Sequence, residues 1–214
     1  ITRESKTRTR SYLQENKRRQ AQDTSPLARE DFLGQCQFKI GMQKMQPYEV
    51  DRVTELIQRT NQLNTSIKRY TKDQIISLGR DPGCDIFSVH VCDKFGDYGL
   101  VGVCIGLHKD RLYEIDTLLF SCRVMSKGVE DYTLTSVLND ARRRNFDQVI
   151  VRFKKGPKNE QMQTILSNNR FVESECEGDS VIYRFDLRQQ DIKPLPTWLS
   201  PAKSELEKIP VLSS

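Results

Sequence analysis

Histidine is scarce in this 214-residue sequence, which holds only His90 and His108. Its six cysteines, at 36, 84, 92, 104, 122 and 176, form no C-x-x-C pair. A zinc site needs Cys and His clustered at ligand spacing, so no metal centre is expected. Cys36, Cys92 and Cys104 fall in apolar, strand-like runs, where a free thiol acts as a small hydrophobe. Reduced thiols of this kind suit a reducing, cytoplasmic compartment. No apolar run approaches the roughly 18 residues that span a bilayer, and no signal-peptide pattern opens the chain. Neither a membrane nor secretion is expected.

Excess charge of one sign is also missing once the first segment is set aside. Residues 1–20 carry seven Lys/Arg against Glu4 and Glu15, a net +5. The other 194 residues hold 27 basic and 27 acidic groups and sum to zero. A neutral body behind a basic lead-in lacks the electrostatic footprint of a nucleic-acid-binding domain, and the lead-in reads as a solvated polar helix. The chain opens on Ile1, and the expectation is a module of a larger protein. Residues 1–34 read as a polar helical linker, 35–188 as one domain, and 189–214, with Pro194, Pro196, Pro201 and Pro210, as an extended tail.

What is present is periodicity. Ser25-Pro26 reads as N-cap and first residue of a short helix through Leu33. Cys36, Phe38, Ile40 and Met42 alternate with polar residues and predict a strand. Pro47 opens a helix with Val50, Val53, Leu56 and Ile57 on one face. Thr71 with Gln74 three residues on predicts a capping box, and Gly79 a stop. Three strands follow, over 86–92, 100–107 and 112–120. Residues 93–99 join the first two, and 94–99 read as a glycine-assisted hairpin loop or as a binding segment. Gly128 leads into a helix over 129–144, then come a strand at 148–153, a helix at 158–169, and strands at 171–176 and 180–187. A meander followed by strand–helix–strand crossovers gives an α/β domain: a mixed, mostly antiparallel sheet with helices on both faces.

Three stretches carry a resemblance. They are Gln58–Asn64, Asp93–Gly102, and Glu114–Thr117 running on into Ser121–Asp131. Together they resemble the C-terminal half of the FkbH-like family over roughly residues 1–187. The resemblance implies the N-acetyltransferase-like (GNAT) fold and an upstream phosphatase-like domain of the haloacid dehalogenase superfamily. It also implies a role in loading a glyceryl unit onto an acyl carrier protein for polyketide biosynthesis. The aspartate-rich phosphatase motif is not in this sequence, so the glyceryl-phosphate chemistry is not assigned to it.

Working members of the fold bind the coenzyme A pyrophosphate in a loop before the central helix, with the pattern Gln/Arg-x-x-Gly-x-Gly/Ala. Here those positions are Met125, Gly128 and Glu130. A carboxylate about 4 Å from a phosphate costs up to about 4 kcal/mol at an effective dielectric near 20. That exceeds the roughly 0.3–1 kcal/mol a helix terminus supplies. The tyrosine that many members use as general acid is replaced by Leu166, and the usual nearby glycine by Arg170. Arg123, Lys127 and Gly128 remain as candidates to hold coenzyme A or the phosphopantetheine arm of a carrier protein.

The remaining candidates come from residue chemistry. Cys122 sits before a predicted helix N-terminus beside Arg123 and Lys127, surroundings that lower a thiol pKa. It reads either as an acyl acceptor or as a packed strand-end cysteine. Glu114 and Asp116, two apart on one strand, share a face; they read as general bases or as carboxylates bonded to loop amides. Arg59, Asn61 and Asn64 read as cleft-lining substrate contacts or as helix-ending and loop-capping residues. The functional expectations are an acyl-transfer accessory domain centred on Cys122, Asp116 and Glu114, a non-catalytic docking or structural module of the same fold, or a coenzyme A-dependent N-acetyltransferase.

Overall fold

A computed structural model describes residue 17 and residues 29–196 and 198–201. The rest of the basic lead-in and the helix start at Ser25-Pro26 lie outside the described residues. In chain order the elements are α1 (Arg29–Gln35), β1 (Phe38–Lys44), a 3-10 turn (Pro47–Glu49), α2 (Val50–Arg59), α3 (Lys72–Arg80), β2 (Cys84–Asp93), β3 (Gly96–Lys109), β4 (Leu112–Phe120), a 3-10 turn (Cys122–Val124), α4 (Val129–Arg143), β5 (Gln148–Lys154), α5 (Glu160–Asn168), β6 (Val172–Glu177), β7 (Ser180–Asp186) and β8 (Leu199–Pro201). Among the described residues no helix is long and apolar enough to cross a membrane.

The chain divides into two compact units. The larger, residues 42–89 and 100–196, arranges its strands in the order β6-β7-β5-β4-β3-β2. β3 and β4 pair antiparallel, as do β5 with β7 and β6 with β7, whereas β4 and β5 run parallel. The result is the expected mixed, mostly antiparallel sheet with helices on both faces. On one face the Val50, Val53, Leu56, Ile57 stripe of α2 and Ile75 of α3 cover Ile86, Val103, Ile105 and Leu119 of the sheet. The capping box of α3 forms as predicted: Gln74 N–H donates to Thr71 Oγ1, and Thr71 N–H donates to Gln74 Oε1.

A buried carboxylate ties the start of β2 to the far end of the β3–β4 hairpin. Asp85, 1% exposed, is ion-paired with Lys44 (2.9 Å) and accepts from His108 Nε2 (2.7 Å) and Arg144 Nη1 (2.5 Å). Burial alone would raise its pKa, but the hydrogen bonds from Arg144, His108 and Lys44 hold it at about 2. At the opposite edge of the sheet β6 is exposed along its whole length, carries Glu173, Glu175 and Glu177, and is broken by a bulge between the first two. Charge and a bulge together discourage further strand pairing.

The described residues of the smaller unit are 17, 29–41, 90–99 and 198–201. In it β1 pairs in parallel with β8, Phe38 opposite Leu199 and Ile40 opposite Pro201. The tail read as an extended linker thus contains a strand, Leu199–Pro201. The hairpin loop expected over 94–99 contracts to Lys94-Phe95, because Asp93 Oδ1 accepts from the N–H groups of Phe95 and Gly96, both at 2.9 Å.

One close approach in the larger unit admits no side chain. A Cβ at Gly106 would lie 1.9 Å from Tyr113 Oη. Gly106→Ala should therefore destabilise the fold by about 3 kcal/mol, the upper part of the range for overpacking. Gly34→Ala, whose Cβ meets nothing within 4 Å, should change stability by less than about 1 kcal/mol. Urea unfolding of the two variants checks the contrast.

Candidate functional site

Parallel β4 and β5 pair only from Leu112 opposite Gln148 to Ile115 opposite Val151. Both continue beyond, β4 to Phe120 and β5 to Lys154, and they part. The carboxyl ends of neighbouring parallel strands are where open α/β sheets bind ligands. Parting strands also expose backbone N–H and C=O groups that must find partners. Here the partner is the chain's own segment 63–67, from the loop between α2 and α3.

That segment inserts through one antiparallel bridge, Asn64 opposite Leu119. Thr65 N–H donates to Leu118 O (3.0 Å) and Phe120 N–H to Leu63 O (2.9 Å), while Leu118 N–H donates to Thr65 Oγ1 (2.9 Å). On the β5 side Lys154 N–H donates to Thr65 O (2.8 Å). Leu63, Asn64 and Thr65 are 0% exposed. Asn159 clasps the insert: its Nδ2 donates to Asn64 O (2.8 Å) and Lys154 O (2.9 Å), and its Oδ1 accepts from Gly156 N–H (2.8 Å). It stands at the N-cap of α5, yet its side chain makes no cap bond to that helix. Ile67 adopts the left-handed conformation, φ 56°, a strained one for a β-branched residue. A Cβ on Gly156 would lie 2.4 Å from Ile67 Cδ1.

Asp116 lies in a β-bulge. Ile105 pairs with Thr117 and Gly106 with Ile115, leaving Asp116 as the extra residue, and a bulge re-aims side chains. Asp116, 3% exposed, is ion-paired with Lys68 and accepts from Tyr70 Oη and from Thr117 Oγ1 (3.0 Å). Thr117 Oγ1 in turn meets Ser66 Oγ at 2.8 Å. Burial first, and then the hydrogen bond to Asp116, push the Tyr70 hydroxyl well above its ordinary range, so it stays protonated and donates. Glu114, 2% exposed, is held by Lys109 Nζ (2.6 Å) and Arg152 Nε (2.7 Å). The two carboxylates thus belong to separate ion-paired sets.

The other candidates are dispersed. Asn64 builds the insert's turn: its Oδ1 accepts from Ser66 N–H (3.1 Å) and Ile67 N–H (3.0 Å), and its Nδ2 donates to Thr60 O (3.1 Å). Asn61 accepts from Arg69, whose guanidinium also bonds Ile57 O at the end of α2 (2.6 Å). Arg59, the last residue of α2, pairs with Glu55 (2.6 Å). Cys122 is exposed. It opens a single 3-10 turn, with α4 starting only at Val129, and Arg123 Nε donates to Ser121 Oγ (3.2 Å). Lys68, Tyr70 and Asn159 were missing from the sequence reading. The signal for the first two was their position just beyond the Gln58–Asn64 stretch.

Before α4, Gly128 is the N-cap with φ 82°, a conformation that favours glycine whatever the loop binds. Glu130 turns inward and is 4% exposed. Its Oε1 accepts from Ser126 N–H (3.3 Å), so that loop amide is already engaged. Burial pushes its carboxyl up from an ordinary 4.5 to about 7.

No family profile matches the sequence, and no curated protein does. Solved structures do match. A domain from Methanocaldococcus jannaschii superposes with a TM-score of 0.58 at 13% identity, over 70% of this chain and 99% of that one. Spermidine N-acetyltransferase from Vibrio cholerae, solved with coenzyme A and spermine, gives 0.51 at 12% identity over 68% and 92%. PaiA N-acetyltransferase from Thermoplasma acidophilum, solved with coenzyme A, gives 0.51 at 13% over 69% and 98%.

The fold is that of the N-acetyltransferases.

In this GNAT-fold chain the residues present do not fit coenzyme A. The gap between β4 and β5 is closed by residues 63–67, and an internal carboxylate bonds the loop before α4.

Glu130 has a pH signature. Its raised folded-state pKa makes its ionisation destabilising: the penalty is absent below about 4.5, grows as pH rises, and is complete above about 7. Glu130→Gln, neutral throughout, should gain on the parent protein by up to about 3 kcal/mol at pH 8, and the gain should vanish near pH 4.5. Urea unfolding across that range measures it; a pH-independent difference would contradict the buried-carboxylate assignment.

Proposed function

We propose that this chain is a docking module of the GNAT fold that works beside a phosphatase-like domain of the haloacid dehalogenase superfamily, with an acyl carrier protein as its partner in glyceryl loading. The observation that carries its independence from coenzyme A is the insert: Leu118 and Phe120 of β4 and Lys154 of β5 give their backbone bonds to residues 63–65. A sheet whose parted strands are joined internally offers an acyl donor fewer free strand groups. The replacement of a general-acid tyrosine by Leu166, 0% exposed, agrees. The partner and the neighbouring domain rest on the FkbH-like resemblance.

Thermal melting with coenzyme A and acetyl-coenzyme A, each to millimolar levels, tests this reading. A ligand at about 100 times its dissociation constant adds roughly 2.7 kcal/mol, which moves Tm by several degrees in a chain of this size. The expected result is no shift with either compound. A shift of several degrees would restore the ordinary acetyltransferase reading.

A second reading is favoured by the exposure of Cys122. Its thiolate would attack the thioester carbonyl of an acyl-loaded carrier protein. A thioester forms on Cys122 Sγ, the carrier's thioester bond breaks, and the departing thiolate takes the proton. Intact mass spectrometry after mixing the chain with an acyl-loaded carrier protein should then show one added acyl group, absent from Cys122→Ala. No added mass on the parent chain would leave the docking reading alone.

A further inference from the structure

The charge of the body is balanced in sum but concentrated in space. Three segments meet at the carboxyl ends of β4 and β5: the insert to Lys68, the turn 121–128 after β4, and the turn 154–159 after β5. They contain Lys68, Arg123, Lys127, Lys154, Lys155 and Lys158 and not one Asp or Glu. Residues 21–214 as a whole are neutral, so this end is offset elsewhere, as by the glutamates of β6. Lys68 faces Asp116, and Lys154 lies 3.8 Å from Asp179. Lys155 and Lys158 are exposed and have no carboxylate partner among the described residues.

The turn that carries them is pinned. Asn159 bonds Lys154 O and Gly156 N–H inside the turn and Asn64 O in the insert, Gly156 abuts Ile67, and Pro157 fixes one more backbone angle. Two cations on a braced loop lose little freedom on binding, which favours recognition over mere solubility. From this geometry we infer that the rim formed by the turns after β4 and β5 is a docking surface for an acidic, phosphate-bearing protein, with Lys155 and Lys158 as its principal contacts. The inference rests on the carrier-protein reading above and adds the surface the carrier uses. Nucleic acid fits less well, since the three segments hold no aromatic residue on which bases could stack.

The probe is a purified acyl carrier protein bearing its phosphopantetheine arm, titrated into the full chain by calorimetry at low and moderate salt. The double variant Lys155→Glu/Lys158→Glu should bind at least about tenfold more weakly and lose most of the salt dependence, as expected of opposed charges across an interface. Arg80→Glu, exposed at the end of α3, is the control and should stay within about twofold of the parent. Melting curves check that both variants fold. Carrier binding unchanged in the double variant would overturn the docking surface and leave the functional reading standing, as would equal weakening by Arg80→Glu. No carrier binding by the parent chain would overturn both. Tighter binding of a short DNA duplex than of the carrier protein, lost in the double variant, would assign the rim to nucleic acid instead.

Discussion

Two parallel strands that part must satisfy the backbone groups they uncover, and much of the larger unit is arranged around that requirement. Beyond Ile115 and Val151, the N–H and C=O groups of β4 and the end of β5 face a gap. A buried amide without a partner costs roughly 1–3 kcal/mol, so the gap is filled by a ligand, by water or by protein. Here protein fills it. The choice explains features that otherwise look unrelated. Asn159 forgoes capping its own helix, Asn64 folds a turn inside the core, and Ile67 accepts an unfavourable backbone angle. The bulge at Asp116 brings Lys68 and Tyr70 onto one carboxylate, fastening the far end of the same segment.

Buried acids show how little a carboxylate's sequence position says of its role. Asp85 is held by Lys44, Arg144 and the ring of His108 and stays ionised. Glu114 and Asp116 are two residues apart, and each has its own cation: Lys109 and Arg152 for one, Lys68 for the other. Glu130 accepts from the Ser126 amide, and burial raises its carboxyl toward neutrality. Cationic partners favour the charged form of a buried carboxylate, and burial alone favours the protonated one.

What sequence reading reached, and what it missed, divide along the range of the forces involved. The α3 capping box, the apolar stripe of α2 and the glycine before α4 are local, and each formed where Thr71, Val53 and Gly128 said it would. The mixed, mostly antiparallel sheet followed from element order. The insert was out of reach because 60–71 has the composition of a loop; its strand-like bonding is imposed by β4 and β5, more than fifty residues away in sequence. Asp116 was singled out for its strand position, but its partners Lys68 and Tyr70 come from that same distant segment. The strand at Leu199–Pro201 is too short, and too rich in proline nearby, to show a period.

Gly156 and Ile67 occupy what is in effect one side chain's worth of space shared by two loops. The two positions are therefore not independent variables. A methyl group gained at 156 must be given back at 67, and a smaller residue at 67 would open a void that a side chain at 156 could fill. In a set of natural homologues the pair should covary in volume.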